Sequence, residues 1–229
     1  MSQHARFDSH AAFINYPKQA AFGRILPKNK IYEHSGANTR LKDLFVEQVE
    51  QIVWQYKLAP ETINLPAKPE VPELQIFSIQ LKTEELNLDV LRCIDGAVKF
   101  PIIFELNFAG KTQVIAAYKY PDKTDASSWA ISSYFRTAWL PANVERYPMP
   151  VVLDLDVLYE QLLHRLMDIS IRPQESLAEV VARLELIEKK RLEVQKVASR
   201  LAKEKQFNRK VEINANLRKL EAELAMLKD

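Results

Sequence analysis

Three side chains in this chain are of the types a metal-dependent phosphodiesterase uses: Asp95, Glu105 and Lys119. Restriction-type nucleases of the PD-(D/E)xK class hold a metal between an acidic residue and a Glu-x-Lys strand. Here the strand reads Glu105-Leu106-Asn107, so the lysine two residues on is absent, and Lys119 stands on the next strand. In the hairpin register that pairs like with like, Lys119 lies opposite Pro101, about 13 Å along the strand from Glu105. That is too far for both to serve one metal-bound water. A polar sheet face, solvated or covered by a helix, is the stronger reading of the three residues, and a divergent nuclease is the alternative.

Other compact chemistry is missing. The four glycines, Gly23, Gly36, Gly96 and Gly110, are isolated, so neither a phosphate-cradling loop nor a dinucleotide fingerprint can be built. His4, His10, His34 and His164 form no pair at metal-ligand spacing, and His164 reads as a structural residue on a helix. No nucleophile elbow is present. Cys93 is the only cysteine, which removes an intrachain disulfide and a thiolate cage. No metal and no cofactor is expected. A net charge of +2 is too small to argue for nucleic acid from the total alone. The first residues lack an apolar signal core and no apolar run reaches spanning length, so a soluble cytoplasmic protein with no membrane contact is expected.

The elements that would carry these residues can be read from periodicity. Residues 1–35 read as an irregular lead-in, with one helical turn after Ser9 and an extended basic stretch from Arg24 to Lys30. Asn38 or Thr39 caps an amphipathic helix in which Leu41, Leu44, Phe45, Val49, Ile52, Val53 and Tyr56 recur at helical steps, ending near Leu58 before Pro60. Thr62 and Asn64 then hydrogen-bond a constrained loop. Phe77, Ile79 and Leu81 alternate with polar residues as a half-buried strand. Thr83 starts a short helix with Leu88, Val90, Leu91 and Ile94 on its apolar side, closed by Gly96. A hairpin follows. A three-residue loop, Ala109 to Lys111, places Leu106 among apolar partners and gathers Glu105, Asn107, Gln113 and Lys119 on one face; a two-residue loop would set Leu106 against Gln113. Trp129 to Trp139 gives a fourth strand, residues 150–156 a short edge strand, and Asp156 opens a helix. The whole predicts an α+β domain, residues 36–172, with a largely antiparallel central sheet and flanking helices.

Residues 173–229 form a helical arm. From Gln174 onward there is no glycine or proline, and Leu, Ala, Glu, Lys and Arg dominate. One continuous helix of that length would reach roughly 80 Å, while a folded-back pair would be half as long. Ile213, Leu217, Leu220, Leu224 and Leu227 make a coiled-coil-like 4-3-4-3 seam that must bury against a helix, in the same arm, a second copy or a partner. A change of phase near Val211 marks a stutter or a bend. Upstream lie Lys189, Lys190, Arg191, Lys196, Arg200, Lys203, Lys205, Arg209 and Lys210. Interspersed acids fit a solvated, ion-paired helix face. A stripe that contacts DNA phosphates is the second reading.

Several blocks, taken in order, resemble a bacterial family, domain of unknown function 4391. They are Leu26-Pro27 followed by basic residues, IVWQYKLAPETINL at 52–65, IDGAVKFPIIFEL with AAYK after it, and EKQFNRKVEINANLRKLEAEL. The resemblance spans nearly the whole chain and supplies no active-site residues. It implies an accessory subunit of an anti-phage or restriction-like system, beside helicases and DNA methyltransferases. A non-catalytic assembly component, with protein partners on the arm, is therefore the expected function.

Overall fold

The expected strand around Phe77 is a central member of a seven-stranded sheet, and the structure, a computed structural model, describes residues 9–122 and 129–228. The first eight residues of the expected lead-in, His4 among them, and Asp229 of the arm lie outside the described residues. The chain divides into two compact units, Met1–Met167 and Asp168–Asp229. In the first, the order is β1 (Ile14–Asn15), β2 (Ala21–Ile25), α1 (Lys28–Ser35), α2 (Thr39–Gln48), β3 (Val49–Leu58), α3 (Pro60–Ile63), β4 (Leu74–Leu81) and α4 (Leu88–Ala97). Then come β5 (Ile102–Phe108), β6 (Lys111–Pro121), β7 (Trp129–Arg136), β8 (Leu140–Pro141), β9 (Tyr147–Pro148) and α5 (Leu155–His164). The second unit holds α6 (Leu177–Lys203) and α7 (Phe207–Lys228). Strands run β2-β3-β4-β5-β6-β7, with β8 against β6, while β1 pairs β9 separately. The architecture is α+β with a mostly antiparallel sheet, flanking helices and long C-terminal helices. Within the sheet β4 and β5 are the parallel neighbours, joined through α4. Among the described residues no helix is long and apolar enough to cross a membrane.

Residues expected as one long helix divide at Val49. The helix stops at Gln48, and Val49 to Leu58 pair with β4. Val49, Ile52, Val53 and Tyr56 satisfy helical spacing, yet the run is rich in β-branched and aromatic residues, and the sheet takes it. Two lysines bond carbonyls at and just beyond the end of α2, where the change occurs. Lys28 Nζ donates to the carbonyls of Phe45 and Val49, and Lys82 Nζ to that of Val46. Both cations also sit at the negative end of the helix. A bulge between Trp54 and Tyr56 then sends Trp54 against Phe77 and Tyr56 against Tyr16, on opposite faces. Thr62 behaves as expected, its hydroxyl bonding the backbone of Lys57 and Ala59.

The lead-in is more ordered than its sequence suggests. Phe13, Ile14, Tyr16 and Ala20 are buried, β2 edges the sheet, and the expected extended stretch becomes α1 from Lys28. The helix after Thr83 begins later, capped by Asn87, and runs through Gly96 to Ala97. Residues 150–156 form no edge strand; Val151 and Leu153 are exposed, and Asp154, not Asp156, caps α5.

The hairpin takes the register rejected above. Phe108 pairs Lys111 and Leu106 pairs Gln113, so the loop is Ala109-Gly110. Both loop residues are left-handed, at φ 46° and 76°, the requirement of a turn whose twist matches the strands. Matching like with like failed because β5 and β6 are buried on both faces. Phe104, Leu106 and Ile115 join the core beneath α1, α2 and α4, while Ile103, Val114 and Ala116 are buried on the other side. A one-residue slip changes which face each polar residue meets. Here Gln113 finds a partner, its Nε2 donating to the Thr137 carbonyl at 2.7 Å, whereas the buried Thr112 hydroxyl has none among the described residues. Space around Gly110 is open, so substitution there costs through its dihedral alone. Gly110→Ala should lower stability by about 1 kcal/mol and Ala109→Asn raise it by a few tenths, measured by urea unfolding. Stabilisation by Gly110→Ala would contradict this turn.

Candidate functional site

Of the three sequence-selected residues the structure brings two together. Lys119, on β6, is 2% exposed and reaches beneath α4, where its ammonium donates to the carbonyls of Asp95 and Val98. The Asp95 carboxylate stands 4.0 Å from the ammonium and accepts from the Tyr134 hydroxyl of β7. Burial pushes Asp95 up to about 6, opposed by Lys119 and by Tyr134; burial lowers Lys119 to about 8, opposed by Asp95. The Lys119 backbone N–H donates to the Tyr159 hydroxyl, which donates to the Ala117 carbonyl and fixes α5 to the same strand. A cleft of about 580 Å³ nearby is lined by Glu84, Gln113, Arg136 and Trp139 among others, and neither Asp95 nor Lys119 lines it.

Glu105 lies elsewhere. Phe104 faces Ile115 and Glu105 faces Val114, so alternation along β6 puts Ile115, Ala117 and Lys119 on the face opposite Glu105. On its own side Glu105 accepts two bonds from the Arg146 guanidinium, at 2.7 and 2.8 Å, and Arg146 also donates to the Ile14 carbonyl. The sheet therefore separates Glu105 from Asp95 and Lys119. Nor do His, Cys, Asp or Glu side chains gather in threes able to hold a metal, among the described residues.

The pair has a pH signature. Native Asp95 holds its proton up to about 6 against an ordinary value near 3.8, so folding stability falls as pH rises through that window. Lys119 acts oppositely, since its native state loses the proton first and stability rises from about pH 8 toward 10.5. Asp95→Asn should remove a loss on the order of 2–3 kcal/mol between pH 4 and 6, measured as unfolding free energy against pH. An unchanged slope would show that Asp95 is ionised throughout.

The arm is a folded-back pair. Glu204 interrupts the helix, its carboxylate accepting from the backbone N–H groups of Lys205 and Gln206, and α7 returns along α6. A buried clamp closes the other end. Arg183 holds Glu175 at 2.6 Å and donates to the carbonyls of Ser170 and Leu227; Arg172 reaches the Met226 carbonyl. The Arg183 guanidinium holds the Glu175 carboxyl down to about 2. Of the seam, Ile213 is buried, and Leu217, Leu220, Leu224 and Leu227 are half-buried. Arg183→Ala should speed amide hydrogen exchange along α7 while leaving the β4–β6 amides unchanged. Equal acceleration in the sheet would contradict a local clamp.

The basic residues divide by environment. Lys190 bridges Glu193 and Glu223, and Arg191 faces Glu188 at 3.6 Å. Lys189, Lys196, Arg200 and Lys203 form one exposed stripe at helical spacing, and Lys205, Arg209 and Lys210 continue it around the turn. Among the described residues none of these seven makes a salt bridge, and Glu204 is the sole acid between Lys196 and Lys210. Sequence reasoning placed the bend near Val211 and passed over Phe207. The signal was available, because Gln206-Phe207-Asn208 departs from the apolar spacing on either side.

The chain matches, over residues 14–224, the family described as Domain of unknown function (DUF4391). No curated protein and no solved structure matches it.

Proposed function

The chain belongs to the family of domain of unknown function 4391, and from that premise we propose that it is a non-catalytic, cytoplasmic accessory subunit that contacts DNA. The observation that carries this reading is the unpaired basic stripe that continues around the turn of the α6–α7 hairpin. Six cations from Lys196 to Lys210, with Glu204 as the one intervening acid, concentrate charge that the total of +2 conceals. Such a surface gains affinity by releasing counterions from phosphates. The α+β unit supports the same reading from the other direction. Its acidic and basic residues of catalytic type are bound into the fold, on two faces of one sheet. The assembly is of the anti-phage or restriction-like kind, in which helicase and DNA methyltransferase subunits supply the chemistry and this chain supplies contact.

The test uses the purified full chain with duplex DNA across 50–200 mM salt. Binding should weaken steeply with salt, and replacing Arg200, Lys203 and Lys205 with Ala should flatten the log–log slope by about three. The same samples with magnesium or manganese should leave DNA intact. Cleavage that disappears in Glu105→Ala would overturn the non-catalytic reading in favour of the nuclease.

A further inference from the structure

One large apolar side chain stands in the middle of the basic tip. Phe207, the first residue of α7, is 77% exposed and makes no ring contact among the described residues. Lys205, Arg209 and Lys210 flank it in sequence, and Arg200 and Lys203 precede it on α6. Val211, one turn further on, is 55% exposed and extends the apolar surface. Every other phenylalanine described in the chain is more covered than Phe207. An uncovered aromatic ring among unpaired cations is a combination that a folding role does not explain. The seam residue Ile213 holds the hairpin from inside, and Phe207 contributes nothing to that contact.

We propose that the hairpin tip binds single-stranded nucleic acid, with Phe207 stacking on an unpaired base while the surrounding cations follow the phosphates. The proposal rests on the polyanion-binding reading above and adds the class of nucleic acid. The physical distinction is that a duplex already stacks its bases on one another, so its grooves offer a ring at the tip no base face. A single strand offers such faces along its length, and base–aromatic stacking with a basic groove is the recurrent way proteins hold it. Gln206 and Asn208, exposed on either side of Phe207, add amide groups that hydrogen-bond base edges.

The experiment measures fluorescence anisotropy of the full chain with oligo(dT), oligo(rU), a duplex of equal length and anionic phospholipid vesicles. Oligo(dT) or oligo(rU) should bind more tightly than duplex, and the comparison of the two separates DNA from RNA. Phe207→Ala should weaken single-strand binding about tenfold and duplex binding less than twofold, whereas Phe207→Trp should retain binding and show added tryptophan quenching on the strand. Phe207 is exposed, so neither variant threatens the fold. Equal affinity for strand and duplex, unaffected by Phe207→Ala, would overturn stacking and leave phosphate binding standing. Absence of binding to every nucleic acid at low salt would remove both readings. Phe207-dependent binding to vesicles without strand preference would replace this proposal with a lipid surface.

Discussion

Lys119 is the point through which the first unit is held together. A buried ammonium must exchange its water for other oxygen atoms, and here they come from the end of α4. That requirement fixes where the helix stops against the sheet and removes the need for a glycine to close it, which is why Gly96 lies inside the last turn. Asp95 then balances the charge and draws in Tyr134 from β7, and the Lys119 backbone is tied by Tyr159 to α5. One residue thus orients a crossover helix, the neighbouring strand and the helix that ends the unit. Removing one partner of such a group strands the other in a dry interior, so these contacts specify arrangement more than they add stability.

The same logic sets Glu105 on one face of the sheet and Asp95 with Lys119 on the other. β5 and β6 are buried on both faces, and Glu105, Asn107, Gln113 and Lys119 on them each have a structural partner. Glu105 welds Arg146 and the N-terminal segment to one face, and Lys119 holds α4 on the other. The hairpin is the reverse case. Its clamp at Arg183 and its seam at Ile213 are satisfied internally, while its turn keeps cations and an aromatic ring in solvent.

Much of this was legible in the sequence wherever one physical signal acted alone. Alternation found β4, apolar periodicity found the body of α4, and the lack of breakers after Gln174 found the helical arm. Residues 49–58 were misread because their apolar spacing satisfies a helix and a strand equally, and the choice lies in a neighbour that sequence does not display. The hairpin register failed because the pairing rule presumes one wet face. Glu105 and Arg146 are 41 residues apart, and nothing local announces their union. Phe207 draws no notice in the sequence, because its exposure follows from the turn at residues 204–206, which the phase change near Val211 does not locate.

In the proposed function this molecule works at the hairpin tip and not at its sheet. Amide hydrogen exchange of the full chain, with and without saturating single-stranded DNA, tests that directly. Added protection confined to residues 196–211 is the predicted result. Protection that appears instead around the cleft near Leu88, Arg136 and Trp139, with the tip unchanged, would contradict it.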